Sequence, residues 1–231
     1  MSRTLHVCRP GLVDYALAFD AQRALVARMA AAPPGERRDW LILLQHPPVI
    51  TIGRRGSRAH VLAGEGRLAE EGVEVFETNR GGDVTYHGPG QVVGYPVFDL
   101  GRHGRDVHRH MRRLEEVVIG VLAEYGVEGF RREGLTGVWT RNGKIAAIGI
   151  AVSHWITYHG FALNVAPDLG HFGLIVPCGL RGASIASLES ETGNAPPLAE
   201  VEDALSSRFC EVFGFDGIAE SADMPVFEEV A

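Results

Sequence analysis

The sequence predicts an α/β protein of the α+β type, a mixed β-sheet flanked by helices, and three observations carry that prediction. Short apolar runs bounded by Gly, Pro and Asn recur along the 231 residues, while only three stretches show long helical periodicity. Strands therefore outnumber helices, and the strict βαβα alternation of a doubly wound fold is missing. The Asn142-Gly143 pair, the strongest turn signal in the chain, separates two apolar arms and predicts a hairpin. The hydrophobic fraction of 45% is ordinary for a globular protein, so one domain spanning residues 1–231 with a sizeable core is expected.

Taken in order, residues 5–9 form a first strand that Pro10-Gly11 ends. Residues 15–32 are alanine-rich, with Phe19, Leu25, Val26 and Met29 at helical spacing, and Pro33-Pro34-Gly35 stops that helix. Residues 40–44 and 49–52 are short strands around the break His46-Pro47-Pro48. Residues 53–58, GRRGSR, read as a flexible basic loop suited to a phosphate or an acidic protein, or simply to solubility. Residues 72–78 supply a strand that leads into a glycine-rich segment. A helix follows from about residue 107 to 125, its apolar face made by Leu114, Val117, Val118, Val121 and Leu122. The Asn-Gly hairpin has arms 137–141 and 144–152, which puts Lys144 at the start of a strand. Residues 155–165 form a further strand, and the last helix spans about 199–213.

Composition narrows the function. A formal net charge of −7 argues against nucleic acid as a partner, because phosphate neutralisation needs a basic face. Locally the chain is basic between Arg102 and Arg113, where Arg105, Arg109, Arg112, His103, His108 and His110 meet only Asp106. Such a segment suits an acidic protein partner, and equally a solvated helix face. A zinc site at the three histidines is disfavoured, since their spacing is not i, i+4. No apolar run approaches the roughly 20 residues of a membrane span, and the first residues lack the apolar core of a secretory signal. A cytoplasmic protein without membrane contact is expected. Cys8, Cys178 and Cys210 cannot all pair within one chain, so reduced thiols are expected.

The chain is organised around residues 80–100, RGGDVTYHGPGQVVGYPVFDL. Its glycines allow backbone to approach a ligand closely, and an alternating apolar strand follows. From composition alone a plain glycine-rich turn fits as well. Downstream lie GKIAAIGI (143–150), GFALNV (160–165) and PCGL (177–180). Together, and in this order, the blocks resemble the lipoyl(octanoyl) transferases. The segment 183–188, ASIASL, is a looser match, with Ala186 where a threonine is common.

The resemblance implies a fold similar to the catalytic domains of biotin and lipoate protein ligases. It implies transfer of an octanoyl or lipoyl group from acyl carrier protein to a lysine of a lipoate-dependent protein. The acceptors are the lipoyl domains of 2-oxoacid dehydrogenase E2 subunits and the glycine cleavage H protein. No metal and no cofactor is expected beyond the phosphopantetheine of the carrier, and a monomer is expected. By resemblance Cys178 is the nucleophile and Lys144 its partner. The substrate pocket is implied to involve Arg80, Gly81, Gly82, Asp83, Val84, Thr85, Tyr86 and His87, then Ala147, Ile148 and Gly149, then Gly160, Phe161 and Ala162.

Elementary chemistry suits these assignments. Thioester exchange onto a cysteine is nearly isoenergetic and aminolysis to an amide runs downhill, so no nucleotide is required. A nearby cation raises the thiolate fraction of a thiol whose free pKa is about 8.5. Small residues leave a narrow slot in which each buried methylene contributes about 0.8 kcal/mol. Alternatives remain open at this level: Cys178 as a buried structural thiol, Lys144 as an exposed turn residue, Asp83 as a turn cap, and His87 or His159 as partner to a cysteine. An ATP-dependent lipoate or biotin ligase and a non-catalytic carrier-binding module are the competing functions.

Overall fold

The computed structural model describes residues 3–176 and 184–221. Cys178, together with the rest of the PCGL block, lies outside the described residues. The elements are β1 (Thr4–Leu12), α1 (Tyr15–Ala31), β2 (Asp39–Gln45), β3 (Val49–Ile52), α2 (Glu65–Glu70), β4 (Glu74–Glu77), β5 (Val84–His87), β6 (Gln91–Val97), α3 (Val107–Glu124), β7 (Phe130–Arg132), β8 (Leu135–Trp139), β9 (Lys144–Ser153), β10 (Ile156–Asn164), α4 (Leu188–Thr192), α5 (Leu198–Phe213) and β11 (Gly217–Ser221).

Eight strands form one sheet in the order β11-β1-β2-β6-β10-β9-β8-β7. The pairs β11/β1 and β1/β2 are parallel and the others antiparallel, so the sheet is mixed as the sequence predicts. Alternation along the strands sorts side chains to two faces. Leu41, Leu43 and Val92 join Val117, Val121 and Phe209 of α3 and α5 on one face. Ile42, Leu44 and Val93 join Ala18 and Ala21 of α1 on the other. The alanines let α1 lie close to the sheet.

Helix α3 begins where the Asp106 side chain accepts the Arg109 N–H at 2.9 Å, and all five residues of its anticipated apolar face are buried. The Asn-Gly hairpin forms with Val138 opposite Ala146 and Trp139 opposite Lys144.

Three expectations need correction. Strand β1 does not stop at Pro10-Gly11; it continues to Leu12 through a bulge between Cys8 and Gly11, where Gly11 takes φ 77°. Among the described residues, the pairing of β1 with β11 ends at Cys8 and that with β2 continues to Leu12. Strands β3 and β4 do not join the main sheet but form a second one, β4-β3-β5, packed on Leu68, Phe172 and Leu174. The 53–58 loop is not free: backbone N–H groups of Gly53, Arg54 and Arg55 donate to the carbonyls of Asp83, Arg80 and Gly82.

Candidate active site

The glycine-rich segment links β4 to β5 and forms one wall of a cavity. Arg80 anchors it. Its guanidinium donates to Thr51 Oγ1 and to the Thr51 carbonyl at 2.7–3.0 Å and to the Gly81 carbonyl at 3.1 Å, and the side chain is buried. The Asp83 carboxylate accepts from the Val84 N–H at 2.7 Å and from His60 Nδ1 at 2.8 Å, so it acts locally as a turn cap. Along β5 alternate residues diverge, with Val84 and Tyr86 packed into the small-sheet core. Tyr86 donates its hydroxyl to His171, which in turn donates to Glu71. It borders only a side void of about 20 Å³ and not the main cavity.

Strands β9 and β10 form the facing wall. Ala147 pairs with Ala162 and Gly149 with Gly160. The two walls touch where the Gly81 N–H donates to the Ile150 carbonyl at 2.9 Å. A Cβ on Gly149 would lie 2.6 Å from the Gly81 oxygen, and one on Gly160 would overlap the Gly94 carbonyl. Side chains are excluded at both positions. His159 sits beside this approach at φ 57°, a left-handed conformation costly for a residue with a Cβ.

Between the walls lies a cavity of about 450 Å³, within the range of small-ligand sites of about 300–1,000 Å³. Of the anticipated pocket residues, Arg80, Gly81, Gly82, Asp83, Val84, Thr85, His87, Ala147, Ile148, Gly149, Gly160, Phe161 and Ala162 border it. So does Lys144, which is 6% exposed, with Nζ 5.5 Å from the ring centre of Trp139. The backbone of Lys144 also holds the chain that leaves the 177–183 segment: its N–H donates to Ser184 and its carbonyl accepts from Ala186. On the entering side the Val176 N–H donates to the His60 carbonyl at 2.8 Å. His60 in turn bonds Asp83 of the cavity wall.

Burial disfavours the charged form of three imidazoles here, His46, His87 and His159. Burial first, then His46 and Arg80, hold His87 well below the usual histidine range, and burial with Arg80 and Arg54 pushes His159 down to about 3. His46, pushed down to about 4 by burial, donates Nδ1–H to the Val13 carbonyl and accepts from the Tyr95 hydroxyl at Nε2. His87 donates Nδ1–H to Gln91 Oε1 at 3.3 Å, because the Gln91 amide nitrogen already donates to Asn164 Oδ1 at 2.9 Å and to the Tyr86 carbonyl. Asn164 passes the chain on by donating to the Ala186 carbonyl at 2.9 Å. A buried amide relay therefore joins His87 to the segment bonded to Lys144. It leaves His87 Nε2 as a hydrogen-bond acceptor, facing the hydroxyl of Thr51.

Sequence reasoning missed Thr51, Trp139, Gln91 and Asn164. Gln91 and Asn164 lie inside the quoted blocks; only their convergence in space gives them a role. The histidines of the basic segment do other work. His103 donates to Asp39, and His110 is buried against Phe98 and Phe213, pushed down to about 3 by burial and by His103. Cys8 is fully buried in β1, and burial raises the Cys210 thiol pKa.

In overall fold, this mixed sheet flanked by helices matches solved lipoate and biotin protein ligases. Lipoate-protein ligase A bound with ATP matches at a TM-score of 0.73, covering 96% of this chain and 89% of its own at 16% identity. Biotin protein ligase from Aquifex aeolicus in complex with biotin and ATP matches at 0.53, covering 91% and 70% at 11% identity. At such identities the likeness is one of fold. The family model of the lipoyl protein ligase A/B catalytic domain matches residues 14–210. The octanoyltransferase of Chloroflexus aggregans is 50% identical over 214 residues, 91% of this chain and 96% of that one. That of Chloroflexus aurantiacus is 51% identical over 225 residues, 96% and 100%. The chain belongs to this family, in its octanoyltransferase group, and it is an acyltransferase.

Proposed function

We propose that the enzyme takes an octanoyl group from acyl carrier protein, holds it as a thioester on Cys178, and passes it to the lysine amine of a lipoyl domain. Its acceptors are the lipoyl domains of 2-oxoacid dehydrogenase E2 subunits and the glycine cleavage H protein, and the reaction opens protein lipoylation. The observation that carries this reading is Lys144 on the wall of an acyl-sized cavity, its backbone bonded to the chain that leaves the 177–183 segment. The names of the 50%-identical relatives support the octanoyl group as cargo.

In the first half-reaction the Cys178 thiolate attacks the donor carbonyl, a new C–S bond forms, and the carrier thiolate leaves and takes a proton. In the second, the acceptor amine attacks the acyl-enzyme, the C–S bond breaks, and an amide forms. The Lys144 ammonium stabilises the thiolate and gives its proton to the departing carrier thiolate; the neutral Lys144 amine then takes the proton that the acceptor amine loses, which restores the Cys178 thiolate and the Lys144 ammonium. His87, held neutral, keeps Nε2 as a hydrogen-bond acceptor, whereas neutral His159 donates Nε2–H to Asn79 Oδ1 at 2.8 Å. No cofactor enters beyond the donor arm, and a cytoplasmic monomer suffices.

Intact-mass spectrometry tests the reading. With octanoyl carrier protein and no ATP the chain should gain one octanoyl group, removed by an acceptor domain; an adduct that appears only with ATP would instead mark a ligase.

A further inference from the structure

Arg54, Arg55 and Arg58 stand within five residues of one another on an exposed turn beside the cavity, and Arg55 borders the cavity itself. None of the three makes an ion pair or side-chain hydrogen bond among the described residues, although the chain carries 29 acidic against 22 basic residues. Asp83, whose carboxylate lies against Gly56 of the turn, is bonded to His60 and to the Val84 N–H and not to these arginines.

The basic segment 102–113 looks similar in sequence but has largely spent its charges within the protein. Arg102 lies 3.7 Å from the buried Asp39 carboxylate, Arg112 donates to buried Glu115 at 2.7 Å, Arg105 covers Trp155 and Arg113 covers Phe213. Only Arg109 is left without such a partner among the described residues.

The 53–58 turn is also fixed in place. Its three backbone bonds run to the loop that forms the cavity wall, and a Cβ on Gly53 would lie 2.6 Å from the Gly82 carbonyl. Guanidinium groups on a preformed turn suit carboxylates and phosphates, and little ordering cost remains on binding.

We infer that the 53–58 turn is the docking surface for the acyl donor, a small acidic carrier protein that presents its thioester on a phosphate-bearing arm. This rests on the donor named above. The turn suits the donor because an anion bound here lies beside the loop wall, and Arg55 borders the cavity that receives the acyl group. Exposed Leu62 next to the turn offers an apolar contact to the same partner.

The test is R54E/R58E, with Arg55 kept because it borders the cavity and R109E as the comparison. Kinetics are run with the carrier-bound octanoyl donor and with a small soluble octanoyl thioester, and melting temperature checks folding. R54E/R58E should raise KM for the carrier-bound donor about tenfold or more and flatten its salt dependence. KM for the small thioester and for the acceptor domain should stay within about twofold of wild type, as should every value for R109E. Equal losses with both donors, a rise confined to the acceptor, or a larger effect from R109E would each overturn the assignment. Wild-type enzyme that uses the small thioester but refuses the carrier donor would refute the donor reading itself, and the docking surface with it.

Discussion

The strand wall of the cavity keeps its shape through side chains that are missing, the loop wall through side chains that are present. On β9 and β10, Gly149 and Gly160 face backbone carbonyls where a methyl group has no room. On the loop, Arg80 is tied to Thr51, Asp83 to His60, and His87 to Gln91 and Asn164. Backbone in a sheet cannot retreat, whereas a hydrogen-bonded side chain can be replaced by one that bonds less well. Replacing the strand-wall glycines should therefore cost fold, whereas replacing the side chains that face the cavity or support the loop should cost function in graded steps.

Lys144, the one cation on the strand wall, should show the largest effect. Lys144→Met is expected to lower transfer about 100-fold or more and to raise the pH midpoint of Cys178 alkylation. Lys144→Arg keeps the charge but cannot take a proton, so alkylation should largely survive while transfer fails. An unmoved alkylation midpoint in Lys144→Met would remove Lys144 as the activating cation. Next comes Gly160→Ala, expected to cost about 3 kcal/mol, the upper end for overpacking, in denaturant unfolding. A wild-type unfolding midpoint would show that the strand wall yields.

Behind the loop wall, at the start of β6, Gln91→Leu should remove the acceptor for His87 Nδ1–H at a stability cost of about 1–3 kcal/mol. The ¹⁵N shifts of His87 should then report a changed tautomer balance, with kcat falling more than melting temperature accounts for. An unchanged tautomer would reduce the relay to packing.

The smallest effect on transfer accompanies a change in acid stability. His46, His87, His110 and His159 stay neutral when folded, with depressed pKa values, while an unfolded imidazole binds a proton below about 6.5. Below that pH the unfolded chain holds more protons, so stability should fall as pH drops toward 4, by up to about 1.4 kcal/mol per pH unit for each histidine. His110→Leu, at a side chain packed against Phe98 and Phe213 and not bordering the cavity, should remove its share of that slope without changing transfer. A melting temperature with the same pH dependence in both proteins would contradict this.

Much of this was legible from residues alone. Periodicity marked α1, α3 and α5, and the Asn142-Gly143 turn located the hairpin that brings Lys144 to the cavity. The second sheet was not legible, because runs of four residues such as β3 and β5 carry no sign of which sheet they join. Helix α2, six residues with only Leu68 buried, has too little apolar periodicity to stand out. The 53–58 turn read as flexible because its anchors are backbone groups some 27 residues further along the chain. The pocket blocks announced themselves through glycine, but the Gln91–Asn164 relay depends on strands β6 and β10 lying side by side, which no local pattern encodes.

The central claim is that an acyl group rests on Cys178 within this cavity. The most direct measurement is intact-mass and peptide-mapping spectrometry of the chain after incubation with octanoyl carrier protein in the absence of ATP. The account predicts one octanoyl group, located on Cys178, lost on addition of an acceptor domain and absent in Cys178→Ala, with Cys8→Ala and Cys210→Ala behaving as wild type. Transfer at the wild-type rate by Cys178→Ala would contradict it.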